Sequence, residues 1–537
     1  MSSTGATELS LARSLADWVR LQPGAEFLKE ADEDWSITYA GFASAVAQLQ
    51  KTLGSSPRVI ALALPGGIPA SLVWIAALTG GHRLIPCTPE ATDRERELLG
   101  RRHSPHVIVV SEPGEAAGFG RRNAKIITSK ELYGLVERLG SCTAAGEAAN
   151  VPVVERRGTL QLTTSGTTGE PKGVLLRASQ VAWTANQVRS SHCLSPSDRG
   201  LCVLPFFHIN APVVSLCATL MAGSSLVIAP RFSLSRFWGW IQEERITWGS
   251  IVPTIVALLL STEKPQFLPG SLRFLRTASA PLPVARHVGF EERFGIPLVE
   301  TYGLSEAGSQ VTANPVPPGQ RKVGSVGLPT GVGLRICEPE HVSETDSQAS
   351  PPTLVDVPAG EEGEICVRGP NVIAHYTGRR GARSFQDGWF RTGDLGFLDT
   401  EGYVYITGRL RDVINRGGEK VSPREIEEVL LASLQVRDAA VTSEPDPLYG
   451  QRIVAYIVVA EPYEEASEAE LREHCQRHLS AYKVPESFYT VPILPRNGNG
   501  KLSRRELEAA TPPPKVGVSE ALVERKQDTR PGVMAHG

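Results

Sequence analysis

Between about residue 10 and residue 400, short runs rich in Val, Ile and Leu alternate with segments whose apolar positions recur at helical spacing, as in VIALAL followed by SLVWIAALTG, or SLVIAP followed by LSRFWGWIQEER. Strands that read as near-continuous apolar runs are those covered by helices on both faces, so this rhythm predicts layered α/β sheets. The most apolar stretch, 59–81, is broken by Pro65, Gly66, Gly67 and Pro69, which predicts a buried strand, a turn and a helix rather than a membrane span. A polar, Pro-rich stretch at 339–362 reads as a surface loop inside a β-rich module that contains GEICVRG and GYVYITG.

Beyond residue 409 the pattern restarts as a small unit. It comprises the helix PREIEEVLLAS, the strands AAVTSE and RIVAYIVVA, the helix ASEAELREHCQRHLS and a last strand-like piece. The expected organisation is a large N-terminal domain over 1–409 and a small, mobile α+β C-terminal domain over 410–510. The tail 511–537 lacks apolar periodicity and is expected to be disordered.

Composition narrows the function classes. At 537 residues the chain is long enough for about three or four packed units. Its 41% hydrophobic and 21% charged residues are ordinary for a folded globular protein. A net charge of −3 gives no general attraction to polyanions, which argues against nucleic acid or an anionic membrane as partner, so any phosphate must be held locally. The eight cysteines are scattered without a C-x-x-C pair and are expected to be buried small hydrophobes in a reducing compartment. The start, MSSTGATELSLARSLADWVR, has no secretory apolar run, and the expected location is the cytoplasm.

The strongest chemical signal is the run from Thr163 to Val174, TTSGTTGEPKGV, which follows the apolar strand fragment Leu160–Leu162. Gly166 and Gly169 let backbone N–H groups turn inward, Thr163, Thr164, Ser165, Thr167 and Thr168 add hydroxyl donors, and Lys172 supplies charge. This is a phosphate loop by composition. No Walker spacing can be laid over it.

The run resembles that of the adenylate-forming enzymes, a superfamily of acyl- and aryl-CoA synthetases, nonribosomal adenylation domains and luciferases. Five further stretches match in order: Pro205–His208 (PFFH), Glu300–Glu306 (ETYGLSE), Arg391–Asp394 (RTGD), Gly408–Asp412 (GRLRD) and Asn499–Lys501 (NGK). The resemblance spans about residues 15–508 and is closest to the acid–CoA ligase branch. It implies ATP-dependent formation of an acyl-adenylate and pyrophosphate, then transfer of the acyl group to coenzyme A.

By that resemblance, Lys501, His208, Thr164 and Lys172 act in catalysis. Thr163, Ser165, Gly166, Thr167, Thr168, Gly169, Ser279, Ala280, Pro281, Thr301, Tyr302, Gly303, Asp394 and Arg409 hold the nucleotide. Asp394 matches the ribose carboxylate, with Arg409 beside it, Tyr302 stacks near adenine, and Glu306 helps hold Mg²⁺, for which a carboxylate oxygen is a suitable hard ligand. Lys501 bridges ATP and the carboxylate, because adenylation brings two anions together and needs positive charge between them. Arg411 stands at the hinge, where many relatives have Asp or Lys. The acid pocket is expected from His208, Ile209, Asn210, Ala211, Ala278, Gly303, Leu304 and Gly308, and the CoA path from Arg416, Gly417, Gly418, Lys420 and Lys483.

The pocket segments 208–213, 277–280 and 302–309 carry little charge. Ala211, Ala278, Ala280 and Gly308 leave room, which predicts a neutral carboxylic acid, with space for a bulky one, held by apolar contact. Similarity leans towards the oxalate-type branch, but Gly308 and Ser309 stand where a substrate-binding histidine is expected there. Two alternatives remain open at this point: a free-standing ligase that loads a carrier protein, and an inactive nucleotide-binding regulator. The molecule is expected to be a monomer or homodimer.

Overall fold

A computed structural model describes residues 9–139, 156–164, 172–265, 270–340, 354–377, 384–463, 465–496 and 502–509. Two open sheets form the body of the large N-terminal domain. The first runs, edge to edge, through Lys125–Thr128, Val107–Val110, Val59–Ala63, Arg83–Pro86, Thr159–Thr164 and Lys172–Arg177; its first five strands are parallel and the last is antiparallel. The second has nine strands. Its parallel centre is Leu298–Tyr302, Phe274–Thr277, Trp248–Ile251, Arg199–Cys202, Ser225–Ile228 and Glu26–Glu30, with short antiparallel strands at both edges.

The helix Ile68–Thr79 lies between the sheets, touching strands of both, and all twelve of its residues are buried. This is why its sequence lacks a polar face: a helix covered all round has no side to give to water. Pro69 sits at its first turn, where a missing N–H costs nothing. The strand–turn–helix reading of 59–81 is thus borne out.

A third, five-stranded sheet includes Gly333–Cys337, Gly363–Arg368, Trp389–Leu398 and Val404–Arg409, the β-rich module. The smaller C-terminal domain packs the helices Pro423–Leu431 and Glu468–His478 on a sheet of Val436–Asp446, Gly450–Val459 and Ser487–Thr490. Its apolar cluster, from Ile414 to Phe488, is separate from the cluster of the large domain. The two meet through side chains: Arg286 donates to the Arg437 carbonyl at 2.6 Å, and the Val284 N–H donates to the Glu428 carboxylate at 3.2 Å.

The cysteine expectation needs one correction. Cys202, Cys217, Cys337, Cys366 and Cys475 are buried and Cys87 half-buried, but Cys193 is exposed, because it follows the helix Ala178–Ser191 in a tight turn with φ +50°. The segment 341–353, which holds most of the expected surface loop, and the tail 511–537 lie outside the described residues. Among the described residues, no helix is long and apolar enough to cross a membrane.

Candidate active site

The two ends of the phosphate-loop run lie on paired antiparallel strands. Thr163 and Thr164 close one strand, Lys172 opens the next, and the pairs Thr163–Gly173 and Thr164–Lys172 are in register. Ser165, Gly166, Thr167, Thr168 and Gly169 lie outside the described residues, as does Lys501.

Eight of the expected nucleotide residues converge on one cavity. Ser279, Ala280 and Pro281 follow the strand Phe274–Thr277, Thr301 and Tyr302 end the neighbouring strand with Gly303 after it, and Asp394 and Arg409 face one another across the β-rich module. The C-terminal domain closes the cavity with residues that include Arg411, Glu428, Arg496, Leu502 and Arg504. Position 501 therefore adjoins a residue that lines the same space as Asp394.

Asp394 is held firmly. The Tyr302 hydroxyl donates to Oδ2 at 2.6 Å and the Arg409 Nε lies 2.8 Å from Oδ1, while Asp394 is 5% exposed. A carboxylate has about four acceptor sites, so both oxygens keep capacity for further donors. The carboxylate raises the Arg409 pKa, while burial, followed by the same carboxylate, raises that of the Tyr302 phenol. Beneath the turn, Arg391 is buried against Glu364, its Nε at 2.8 Å from Oε2, and Glu364 Oε1 accepts the Gly393 N–H at 3.0 Å. The arginine of the RTGD motif thus braces the loop that presents Asp394.

Glu306 sits in a single helical turn, Ser305–Ala307, packed beside the strand that begins at Lys172. It is half-buried, and the Tyr376 hydroxyl donates to its Oε1 at 2.8 Å. Among the described residues no group of three or more His, Cys, Asp or Glu side chains is arranged to hold a metal ion. A lone carboxylate beside a phosphate loop suits Mg²⁺, which takes one or two protein oxygens and completes its shell with phosphates and water.

Gly303 fits where no larger residue would, since a Cβ there would overlap the Ser309 carbonyl oxygen. Gly308 needs correction as a source of room: a Cβ on it would lie 2.7 Å from Thr184 Oγ1, so it is closed against the helix Ala178–Ser191. Ile209, Asn210, Ala211 and Ala278 are buried, and Leu304 is half-buried. His208 packs at a tilt against Phe207, its Nε2 is buried without a partner among the described residues, and burial lowers its pKa to about 4, so the imidazole is neutral at neutral pH. Ser279, where relatives often have glycine, adopts φ +77°, and its Oγ accepts from Asn210 Nδ2 at 3.0 Å.

The pocket segments hold little charge, but a basic group stands one residue before them. Arg276 is 1% exposed and reaches the pocket through Asn210, its Nη1 donating to Asn210 Oδ1 at 2.8 Å and to Ser250 Oγ at 3.0 Å. An arginine inside the apolar strand FLRT was the available signal. Tyr376 and Glu364 carried none in the sequence.

The expected CoA residues form a separate region, and among the described residues none of 415–420 lines the cavity. They make a short hairpin with Gly417 and Gly418 at φ +61° and +98°. Arg416 pairs with Glu486 at 2.6 Å and stacks over Tyr449, Lys483 pairs with Glu425 at 2.7 Å, and Lys420 is exposed on the outer strand. At the hinge position Arg411 lies 3.4 Å from Asp412, which also meets Arg504 at 3.4 Å.

The family models for AMP-binding enzymes and for the AMP-binding enzyme C-terminal domain match residues 15–377 and 425–501. The chain is 36% identical to sulfoacetate–CoA ligase of Cupriavidus necator over 93% of its length and 96% of the relative, and 31% identical to oxalate–CoA ligase of Arabidopsis thaliana over 86% and 90%. Its structure superposes on ATP-bound MatB from Rhodopseudomonas palustris with a TM-score of 0.80, at 26% identity, covering 93% of this chain and 98% of that one. These likenesses do not favour a carrier-protein loader or an inactive regulator. The shared motifs, the two-domain cavity and the whole-length similarity lead to one assignment: the chain belongs to the AMP-binding enzymes, in their AMP-forming acid–CoA ligase branch.

Proposed function

We propose that the cavity between the two domains is where this ligase joins its acid to AMP, with residues 1–409 supplying the nucleotide and acid sites and residues 410–510 the mobile partner. An oxygen of the acid's carboxylate attacks the α-phosphorus and pyrophosphate leaves; the CoA thiol then attacks the acyl carbon and AMP leaves. The observation that carries the reading is the single cavity shared by Ser279, Tyr302, Asp394 and Arg409 on one side and by Leu502, the neighbour of Lys501, on the other.

In this reading Asp394 and Arg409 hold the ribose, and Tyr302 stays against Asp394 at the adenine side. Ser279, Ala280, Pro281, Thr301 and Gly303 shape the nucleotide wall. The loop from Thr163 to Gly169, with Lys172, holds the phosphates, and Lys501 balances charge between ATP and carboxylate. Glu306 would hold Mg²⁺, which supplies charge neutralisation at the phosphates. His208, neutral and partnerless at Nε2, gates the acid pocket beside Ile209, Ala211 and Ala278. For the second step the small domain turns about Arg411 so that Arg416, Gly417, Gly418 and Lys420, with Lys483, approach CoA. The ion pairs of Arg416 and Lys483 with Glu486 and Glu425 must then open or shift to meet phosphates. The enzyme works as a monomer or homodimer.

Sulfoacetate and oxalate, the acids named for two relatives, are the first candidates to test. Incubating the protein with ATP, Mg²⁺ and an acid panel, with and without CoA, and following products by mass spectrometry checks both steps. Acyl-CoA from an acid in the panel is the expected result, whereas acyl-adenylate that accumulates despite CoA would refute CoA as acceptor.

A further inference from the structure

Among the described residues, Arg276 is a basic group beside this site that no carboxylate balances. Arg286 pairs with Asp438, Arg409 with Asp394, Arg411 with Asp412, Arg496 with Asp438 and Arg504 with Glu427. Arg276 meets only neutral partners among the described residues, and its Nε is buried with no partner at all. Burial alone lowers its pKa, to about 9, which leaves it charged at neutral pH. His208 cannot share the role, being neutral.

A buried guanidinium without a counter-ion is costly, and such sites are stabilised when a ligand brings the missing negative charge. Here the charge is wired to the pocket, because Arg276 holds Asn210 by its amide oxygen and Asn210 turns its amide nitrogen to Ser279, which lines the cavity. The acid's reacting carboxylate is committed to the α-phosphorus and the cations around it, so it cannot also balance this charge. We propose that the acid carries a second anionic group, a carboxylate or a sulfonate, and that Arg276, acting through Asn210 behind Ser279, is the residue that selects for it. The proposal rests on the ligase reading above and replaces the neutral acid that the pocket segments suggest.

The test uses the full chain and matched acids: malonate against monomethyl malonate, succinate against monomethyl succinate, and sulfoacetate against methylsulfonylacetate. Pyrophosphate release reads adenylation, and thioester formation is read separately. In the wild type at least one anionic member is expected to exceed its neutral partner in kcat/KM by about 10²-fold, the scale on which a desolvated charge pair discriminates. The same comparison distinguishes the carboxylate from the sulfonate. Arg276→Met should bring that ratio close to one, mainly by loss on the anionic acid, and Arg276→Lys should restore part of it. Equal or better use of the neutral acids by the wild type overturns the proposal without any variant, as does adenylation of neutral acids alone. A variant that slows both members in parallel overturns it too, since Arg276 would then only brace Asn210 and Ser250. Adenylation without thioester formation counts against CoA as acceptor, while the acid ratio still decides the role of Arg276.

Discussion

Arg391→Met removes the charge that Glu364 was buried to meet. Both side chains are under a tenth exposed, and the guanidinium also donates to the Glu338 carbonyl at 2.7 Å. Breaking such a pair from one side leaves an uncompensated buried carboxylate and costs about 3–5 kcal/mol. With about 2.1 cal/mol/K of unfolding entropy per residue over a domain of about 400 residues, this lowers Tm by about 4–6 °C. Glu364→Gln in the same chain removes the stranded charge and keeps an amide oxygen for the Gly393 N–H. The double variant should therefore recover more than half of the loss, a coupling that a double-mutant cycle reads directly. Because Gly393 and Asp394 are adjacent, the single variant should also raise KM for ATP by about tenfold, as small misplacements of binding groups do. Melting curves of the four proteins, with ATP saturation measured in parallel, check both parts. A Tm within about a degree of wild type in the single variant, or a double variant no better than the single, would refute the argument.

Lys501→Ala should slow acyl-adenylate formation by about 10²-fold or more while leaving thioester formation from supplied acyl-adenylate and CoA intact, as a single-turnover assay of each step would read. Gly303→Ala places a methyl group on the Ser309 carbonyl and should disrupt the 303–310 loop, with loss of adenylation and a lowered melting temperature; near-normal activity would contradict the close approach. His208 is held neutral in the fold with a pKa of about 4, below its usual 6.5. Its contribution to stability is complete above pH 6.5 and is lost as the pH falls towards 4, because the unfolded chain takes up the proton first. The Tm of His208→Asn should accordingly fall less than that of wild type between pH 7 and pH 5.

The sequence carried the architecture well because its strands are buried on both faces and so read as apolar runs. It carried the cavity well because Ser279–Pro281, Thr301–Gly303, Asp394 and Arg409 belong to contiguous motifs that lie where strands end. It carried less where a role depends on a distant partner. Tyr376 approaches Glu306 from 70 positions away, and Arg276 reaches Asn210 from 66. The room expected at Gly308 failed for the same reason, since Thr184 fills it from another helix. A residue's neighbours across the fold decide whether a small side chain leaves space, and spacing along the chain does not report them.

The helix Ile68–Thr79 has a kinetic consequence. Its amides lie between two sheets, so a water molecule reaches them only when the sheets part, and that requires opening most of the large domain's core. Hydrogen exchange there should be among the slowest in the molecule. The proposed joint at 408–412, where Arg411 is more than half exposed, would open without disturbing it. In the proposed cycle the large domain would serve as a stiff anvil, and the fluctuations that the cycle draws on would fall to the small domain and its joint.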